Sequence, residues 1–264
     1  MVSAERRLDE DATEPAQPPL SILYRDEWLV AIDKPSGLLV HRSPVDTRER
    51  RFAVQCLRDQ LGQRVYPAHR LDKGTSGVLL FALDPATTRA LAAQFEAGQV
   101  RKRYLAVVRG WPAEQGLIDR ALAGVEDGRL PTADAAPKPA RTRFRRLATV
   151  ELPVPVDRYP AARYALLEVE PLSGRRHQLR RHLAGLAHPI VGDTTYGSGP
   201  HNRLFRERYA SARLLLACVS LKFAHPADGR PIRITATPGD RFATVVEQLG
   251  WSAAAMTAGD DHEH

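Results

Sequence analysis

The chain has 264 residues, of which 43% are apolar, enough for one large domain with a sizeable core. Its formal net charge is +7, and 33 of its 38 basic residues are arginine. The N-terminus is rich in Glu, Asp and Pro, and no apolar run approaches the length of a membrane span, so we expect neither a secretory leader nor a membrane protein. Cys56 and Cys218 lie far apart within apolar runs, which predicts buried thiols in a cytoplasmic protein.

Positive charge is concentrated in the central part of the chain. Residues 19–251 hold 36 basic and 23 acidic side chains, whereas residues 1–18 and 252–264 are mainly acidic and are expected to be disordered tails. Arginine binds phosphate through two parallel hydrogen bonds and stacks on bases, so this excess of arginine favours an RNA partner. A solvated surface in a protein of Arg-rich composition is the alternative.

Apolar periodicity and turn residues give the expected elements in chain order. Strands are predicted at 22–24, 28–32, 38–41, 78–82, 104–108, 163–169, 214–223 and 232–236, and helices at 52–61, from Pro85 onward and around 179–186. Strands outnumber helices without regular alternation, which predicts an α+β fold with a mixed, mainly antiparallel sheet flanked by helices and loops. Residues 121–140, rich in Ala, Gly, Pro and Asp, are expected to form a flexible insertion within a single domain at 19–251.

The most informative segment is His69–Gly77, which reads HRLDKGTSG and leads into the apolar strand at 78–82. It places the carboxylate of Asp72 beside a histidine and two cations on a turn at a rigid sheet edge. The segment resembles the active-site motif of the RNA pseudouridine synthases that carry an HRLD signature. This resemblance implies that Asp72 is catalytic. It also implies that Arg70 fills the gap left by an extruded base or holds phosphate. A structural salt bridge is the alternative role for Arg70.

A second motif of the same family is matched by residues 101–110, which read RKRYLAVVRG. The resemblance makes Tyr104 the key residue, because an aromatic face can hold an extruded uracil ring. A core tyrosine on a strand is the alternative. Lys102, in the preceding basic run, is a predicted RNA contact.

A third motif is matched by residues 174–183, which read GRRHQLRRHL. Leu179, Leu183 and Leu186 follow helical spacing, so we predict an amphipathic helix with a basic opposite side. The resemblance implies that Arg175 is a site residue that pairs with Asp72. Arg176, Arg180 and Arg181 either contact RNA phosphates or form a solvated face of the helix, and both alternatives stay open. The predicted RNA-binding residues of this segment are Arg176, His177, Arg180 and Arg181. His177, His182 and His188 lack partners at a metal-site spacing, so no metal is expected.

The family's reaction breaks the N-glycosidic bond of a uridine, turns the ring and rejoins it to the sugar through carbon. The resemblance therefore implies an isomerase without a cofactor, in which Asp72 acts as nucleophile or base. Residues 22–43 and 175–192 resemble members that act on tRNA, which implies that the target is uridine 65 in the acceptor stem; 23S ribosomal RNA is the alternative substrate. We expect a monomer. Two other classes remain: a non-catalytic RNA-binding protein, and a glycosidase, which usually needs a second placed carboxylate.

Overall fold

The computed structural model describes residues 18–42, 49–124, 136–252 and Met256. Its strands are β1 (Ser21–Arg25), β2 (Leu29–Lys34), β3 (Tyr66–Pro67), β4 (Ser76–Ala82), β5 (Arg101–Arg109), β6 (Gln115–Asp119), β7 (Arg141–Leu152), β8 (Ala162–Pro171), β9 (Leu216–Ala224) and β10 (Pro231–Thr235). Its helices are α1 (Ala53–Leu61), α2 (Pro85–Glu96), α3 (Gln178–Gly185), α4 (Gly199–Tyr209) and α5 (Asp240–Gln248).

All ten strands form one sheet in the order β1-β2-β4-β9-β5-β8-β7-β6, with β3 on β4 and β10 on β9. Every pairing is antiparallel except that of β4 with β9. The α+β fold with a mixed, mainly antiparallel sheet is therefore confirmed. The parallel pair places the first residues of β4, just after Asp72, at the centre of the sheet.

Gly77 makes this central pairing possible. Its φ is +104°, and a Cβ there would lie 2.0 Å from the carbonyl oxygen of Cys218 on β9. Only glycine combines that backbone conformation with so close an approach. Gly77, the last residue of the HRLDKGTSG segment, thus allows β4 to pair closely with β9.

Apolar side chains cover both faces of the sheet. One buried cluster contains Tyr104 of β5 and Leu179 and Leu183 of α3. The other contains residues of α4 and α5, among them Phe205 and Phe242. The sheet is therefore the middle layer, and α3 packs across β7 and β8 on the face of Tyr104.

Several local predictions are confirmed. β1 and β2 form the expected hairpin, α1 occupies 53–61, and Asp84 Oδ1 caps α2 by accepting from the backbone N–H groups of Ala86 and Thr87. The predicted strand at 38–41 is wrong, since Leu39 forms only an isolated bridge to Phe52.

Other local predictions need correction. Cys218 is buried but Cys56 is half-buried, and both are free thiols. Leu186 is 40% exposed, because α3 ends at Gly185 and leaves Leu186 beyond the buried stripe.

Three predicted segments lie wholly or largely outside the described residues. Of the predicted insertion, residues 125–135 are outside, while Leu122 and Lys138 exchange backbone hydrogen bonds of 2.9 and 3.0 Å. The predicted tails are outside except for Pro18, Ser252 and Met256. Within the described part of the chain, no helix is long and apolar enough to cross a membrane.

Candidate active site

Asp72 lies on a tight turn between β3 and β4 that is held from two sides. Its carbonyl oxygen accepts from Thr75 N at 3.0 Å, and the carbonyl oxygen of Lys73 accepts from Gly37 N at 2.8 Å. Ser36 Oγ donates to the carbonyl oxygen of Gly74 at 2.7 Å. These bonds fix the backbone on both sides of a carboxylate whose side chain is 19% exposed.

Arg180 holds this carboxylate from α3. Its Nη1 donates to Asp72 Oδ2 at 3.2 Å, while its Nε and Nη2 donate to Asp193 at 2.7 and 2.8 Å. Burial alone would lower the pKa of Arg180, but its hydrogen bonds to Asp193 and the two nearby carboxylates raise that pKa above its ordinary value. A permanent cation therefore bridges Asp72 and the buried Asp193.

The predicted pairing of Arg175 with Asp72 is wrong. α3 begins at Gln178, with His177 as its left-handed cap, so Arg175 lies in the preceding loop and its Nε donates to the carbonyl oxygen of Pro139 at 3.1 Å. The inward position that faces Asp72 belongs to Arg180, the third residue of the helix. The expectation that Arg180 is a phosphate contact or part of a solvated face is wrong for the same reason, since it is 9% exposed.

His177 and Tyr196 complete the surroundings of Asp72. His177 Nε2 lies 3.8 Å from Asp72 Oδ1, and its Nδ1 is hydrogen-bonded to the Tyr196 hydroxyl at 3.0 Å. Burial lowers the pKa of His177, which favours the neutral imidazole at neutral pH despite the nearby carboxylate. The Tyr196 ring also lies 5.1 Å from the guanidinium of Arg180, so it supports both neighbours of Asp72.

Tyr104 lines the same cleft from β5. It is only 8% exposed, so it also packs within the buried core. A register shift between Arg103 and Tyr104 interrupts the pairing of β5 with β9. Burial raises the pKa of Tyr104 well above its ordinary value, which keeps the hydroxyl protonated.

The cleft has a volume of about 1220 Å³, and eight cationic side chains and three carboxylates line it. Of the predicted RNA contacts, Arg70, Lys102, Arg176 and His177 line the cleft, and Arg180 lies buried in its wall. Arg181 does not line it and donates to the carbonyl oxygen of Ala123 at 2.9 Å. The surface is therefore suited to a polyanion.

The histidines near the motifs are occupied by structural hydrogen bonds. His69 Nε2 accepts from Leu80 N at 3.1 Å, and loss of hydration lowers the pKa of His69 to about 3, so its ring stays neutral. His182 bonds Thr142 and Arg120, and His188 bonds Arg109. Among the described residues, no group of three or more His, Cys, Asp or Glu side chains could hold a metal ion.

Lys34, at the end of β2, is a site residue that none of the three motifs contains. Its side chain is fully buried, and Nζ donates to the carbonyl oxygens of Pro35, Leu38 and Lys73 at 2.9, 2.8 and 3.2 Å. Burial lowers the pKa of Lys34 to about 7, an effect that the charge of Asp72 partly offsets. The signal available in the sequence was a lysine that follows four apolar residues and Asp33 at the end of a strand.

The low pKa of Lys34 predicts a pH-dependent stability. Between about pH 7 and 10 the unfolded chain keeps this proton and the folded chain releases it, so the free energy of unfolding should rise with pH in that window. Relative to Lys34→Met, wild type should gain about 2 kcal/mol between pH 7 and 9. Urea unfolding of both proteins at the two pH values measures this difference; a constant difference would contradict it.

The chain is similar to known proteins in sequence and in fold. The family model for RNA pseudouridylate synthase matches residues 28–185. The tRNA pseudouridine synthase C of Salmonella typhi is 48% identical over 88% of this chain and 90% of its own length, and that of Vibrio cholerae is 44% identical over 90% and 98%. The structure of human RNA Pseudouridylate Synthase Domain Containing 1 aligns with a TM-score of 0.67 and 26% identity, covering 93% of this chain and 96% of the human one.

Proposed function

The chain belongs to the RNA pseudouridylate synthase family, and we propose that it converts one uridine of tRNA to pseudouridine. The observation that carries this proposal is the carboxylate of Asp72, held by Arg180 in the wall of a basic cleft that Tyr104 also lines. As a pseudouridine synthase the protein is an isomerase. Every atom of the uridine is retained, because the proton lost from C5 is balanced by one gained at N1.

Asp72 is the proposed catalytic residue. Its carboxylate either attacks the anomeric carbon as the N-glycosidic bond breaks or removes a proton from the neighbouring sugar carbon. Both routes use the carboxylate group, which Arg180 Nη1 holds by a hydrogen bond of 3.2 Å to Oδ2. The detached uracil then turns, and its C5 bonds to the anomeric carbon while the ester to Asp72 breaks or, in the second route, the removed proton returns to the sugar.

Tyr104 and the cationic side chains of the cleft are proposed to bind the RNA. A uridine stacked in folded RNA must be extruded before Asp72 can reach its sugar. The Tyr104 ring offers a surface for the extruded base, and Arg70 lies two residues from Asp72, where it can replace that base or hold phosphate. We keep Lys102, Arg176 and His177 as proposed RNA contacts, and we now add Arg175, on the ground that all four line the same cleft.

tRNA is the favoured substrate because the relatives from Salmonella and Vibrio are named tRNA pseudouridine synthase C. We further propose that the target is uridine 65, as the resemblance of residues 22–43 and 175–192 implies. We also propose a cytoplasmic monomer, in keeping with two free cysteines and no disulfide among the described residues.

Incubation of the purified protein with uridine-labelled tRNA transcript tests the function. We expect pseudouridine at one position, without added metal or cofactor, and no free uracil. Release of uracil would identify a glycosidase, and retention of tRNA without product would identify a binding protein. Product in ribosomal RNA but not in tRNA would overturn the substrate and leave the reaction standing.

A further inference from the structure

Three neighbouring strands place a charged group in the lining of the cleft, and of its three residues only Arg101 belongs to a sequence motif. Arg101 of β5 and Arg143 of β7 flank Glu170 of β8 and share its carboxylate: Arg101 Nε lies 3.3 Å from Oε1, and Arg143 Nη1 lies 2.5 Å from Oε2. We refer to Arg101, Glu170 and Arg143 as the arginine fork.

Each arginine of the fork uses a single nitrogen in this contact. Within the residues that the structure describes, the Nη1 and Nη2 groups of Arg101 and the Nε and Nη2 groups of Arg143 make no hydrogen bond to protein. Arg180 is the opposite case, because all three of its nitrogens donate to carboxylates. The fork therefore keeps N–H donors available for an anion, in the planar geometry that suits phosphate.

The fork also keeps an excess of positive charge. One carboxylate balances only one of its two guanidinium groups. The same arrangement is repeated along the strands, where Glu168 lies between Arg103 and Arg145. Within the fork itself, two guanidinium groups and one carboxylate leave one net positive charge.

Fold stability does not account for this arrangement. The side chains of Arg101 and Arg143 are 61% and 57% exposed and that of Glu170 is 20% exposed, and ion pairs whose cation lies in solvent contribute little to stability. What Glu170 does provide is orientation, because it restrains two long side chains that would otherwise lose rotational freedom on binding. A pre-oriented pair of cations with outward donors is suited to recognising anions.

The position of the fork relates it to the site. Arg101, Arg143 and Glu170 line the same cleft as Asp72 and Tyr104. Arg101 precedes Tyr104 by three residues on β5, which corresponds to about 10 Å along a strand. A nucleotide chain whose target base lies on Tyr104 would pass the fork.

We infer that the arginine fork binds backbone phosphates of the RNA next to the target uridine, an inference that rests on the proposed function. The phosphate oxygens accept from the outward N–H groups while Glu170 holds both guanidinium groups in place. The fork is thus a positioning contact for the RNA strand, separate from Asp72 and its neighbours.

Binding of unmodified tRNA transcript to the full-length protein tests this inference, with Asp72→Asn as background so that no turnover occurs. The test variant is Arg101→Ala/Arg143→Ala. The matched control is Arg58→Ala/Arg230→Ala, which removes two arginines, each 51% exposed, that do not line the cleft. Glu170→Gln is the third variant, because it adds one net charge to the fork at nearly constant size.

We expect the fork variant to raise Kd roughly tenfold or more at low salt and to reduce the slope of log K against log salt by about 1.4 to 1.8, the range for two phosphate contacts to single-stranded or duplex nucleic acid. Glu170→Gln should lower Kd, and the control should leave the salt slope near that of the parent. Without the Asp72 substitution, the fork variant should raise KM for pseudouridine formation by the same factor as Kd.

Equal Kd values and slopes for the fork variant and the control would overturn the inference. Failure of the proposed function is distinguishable, because in that case wild type would form no pseudouridine in tRNA whatever the behaviour of the fork. Wild-type product formation together with an unaltered salt slope in the fork variant would reject the fork alone.

Discussion

Asp72→Asn is expected to reduce pseudouridine formation by roughly 10³-fold or more while tRNA affinity stays within several-fold of wild type. The amide keeps the size of the carboxylate but can neither attack a carbon nor accept a proton. The fold should persist, because Asp193 still holds two nitrogens of Arg180. Single-turnover assays with labelled tRNA, together with Kd, measure both effects.

Asp59→Asn is the matched control, since Asp59 is 64% exposed and pairs only with its neighbour Arg58 among the described residues. It should behave as wild type. Turnover by Asp72→Asn within tenfold of wild type would remove Asp72 from the catalytic role.

Arg180→Lys is expected to lower turnover by roughly 10²-fold. A lysine keeps the charge, but its single ammonium group cannot bridge Asp72 and Asp193 as the three guanidinium nitrogens do. Alanine at this position would leave Asp193 buried without its cation, a loss of about 3–5 kcal/mol in the free energy of unfolding. Lysine is therefore the more informative substitution, and urea unfolding checks that the variant is folded.

Arg175→Ala is the comparison that separates the two arginines of this segment. Its guanidinium contacts the carbonyl oxygen of Pro139 rather than Asp72, so kcat should stay within several-fold of wild type and any loss should appear in KM. A loss of kcat in Arg175→Ala that exceeds the loss in Arg180→Lys would restore Arg175 as the functional partner of Asp72.

Much of the fold was predictable because its signals are local. The hairpin of β1 and β2 follows from alternating apolar residues around a polar turn, and the start of α2 follows from Asp84 and Pro85.

The sequence did not predict α4 and α5. β7 was missed too, because Arg141–Leu152 carries arginine at four positions and reads as a polar segment. Those arginines are accommodated by cross-strand partners such as Glu168 and Glu170, which the local sequence does not reveal.

The site was predictable in its components but not in its pairing. Asp72, Tyr104 and the segment that contains Arg180 were identified from three ordered motifs. The identity of the arginine that holds Asp72 depends on where α3 begins, and a left-handed cap at His177 moves that start beyond the first two arginines. Lys34 and Tyr196 reach the site through chain segments far from Asp72 in sequence, so their roles required the tertiary structure.

The most direct test of the central claim is a carbodiimide map of pseudouridine in total RNA from a strain lacking this gene. The strain is complemented with the wild-type gene or with Asp72→Asn. We predict one pseudouridine missing at position 65 of several tRNAs, restored by wild type but not by Asp72→Asn, with ribosomal RNA unaltered. An unchanged tRNA map in the deletion strain, or restoration by Asp72→Asn, would contradict the assignment.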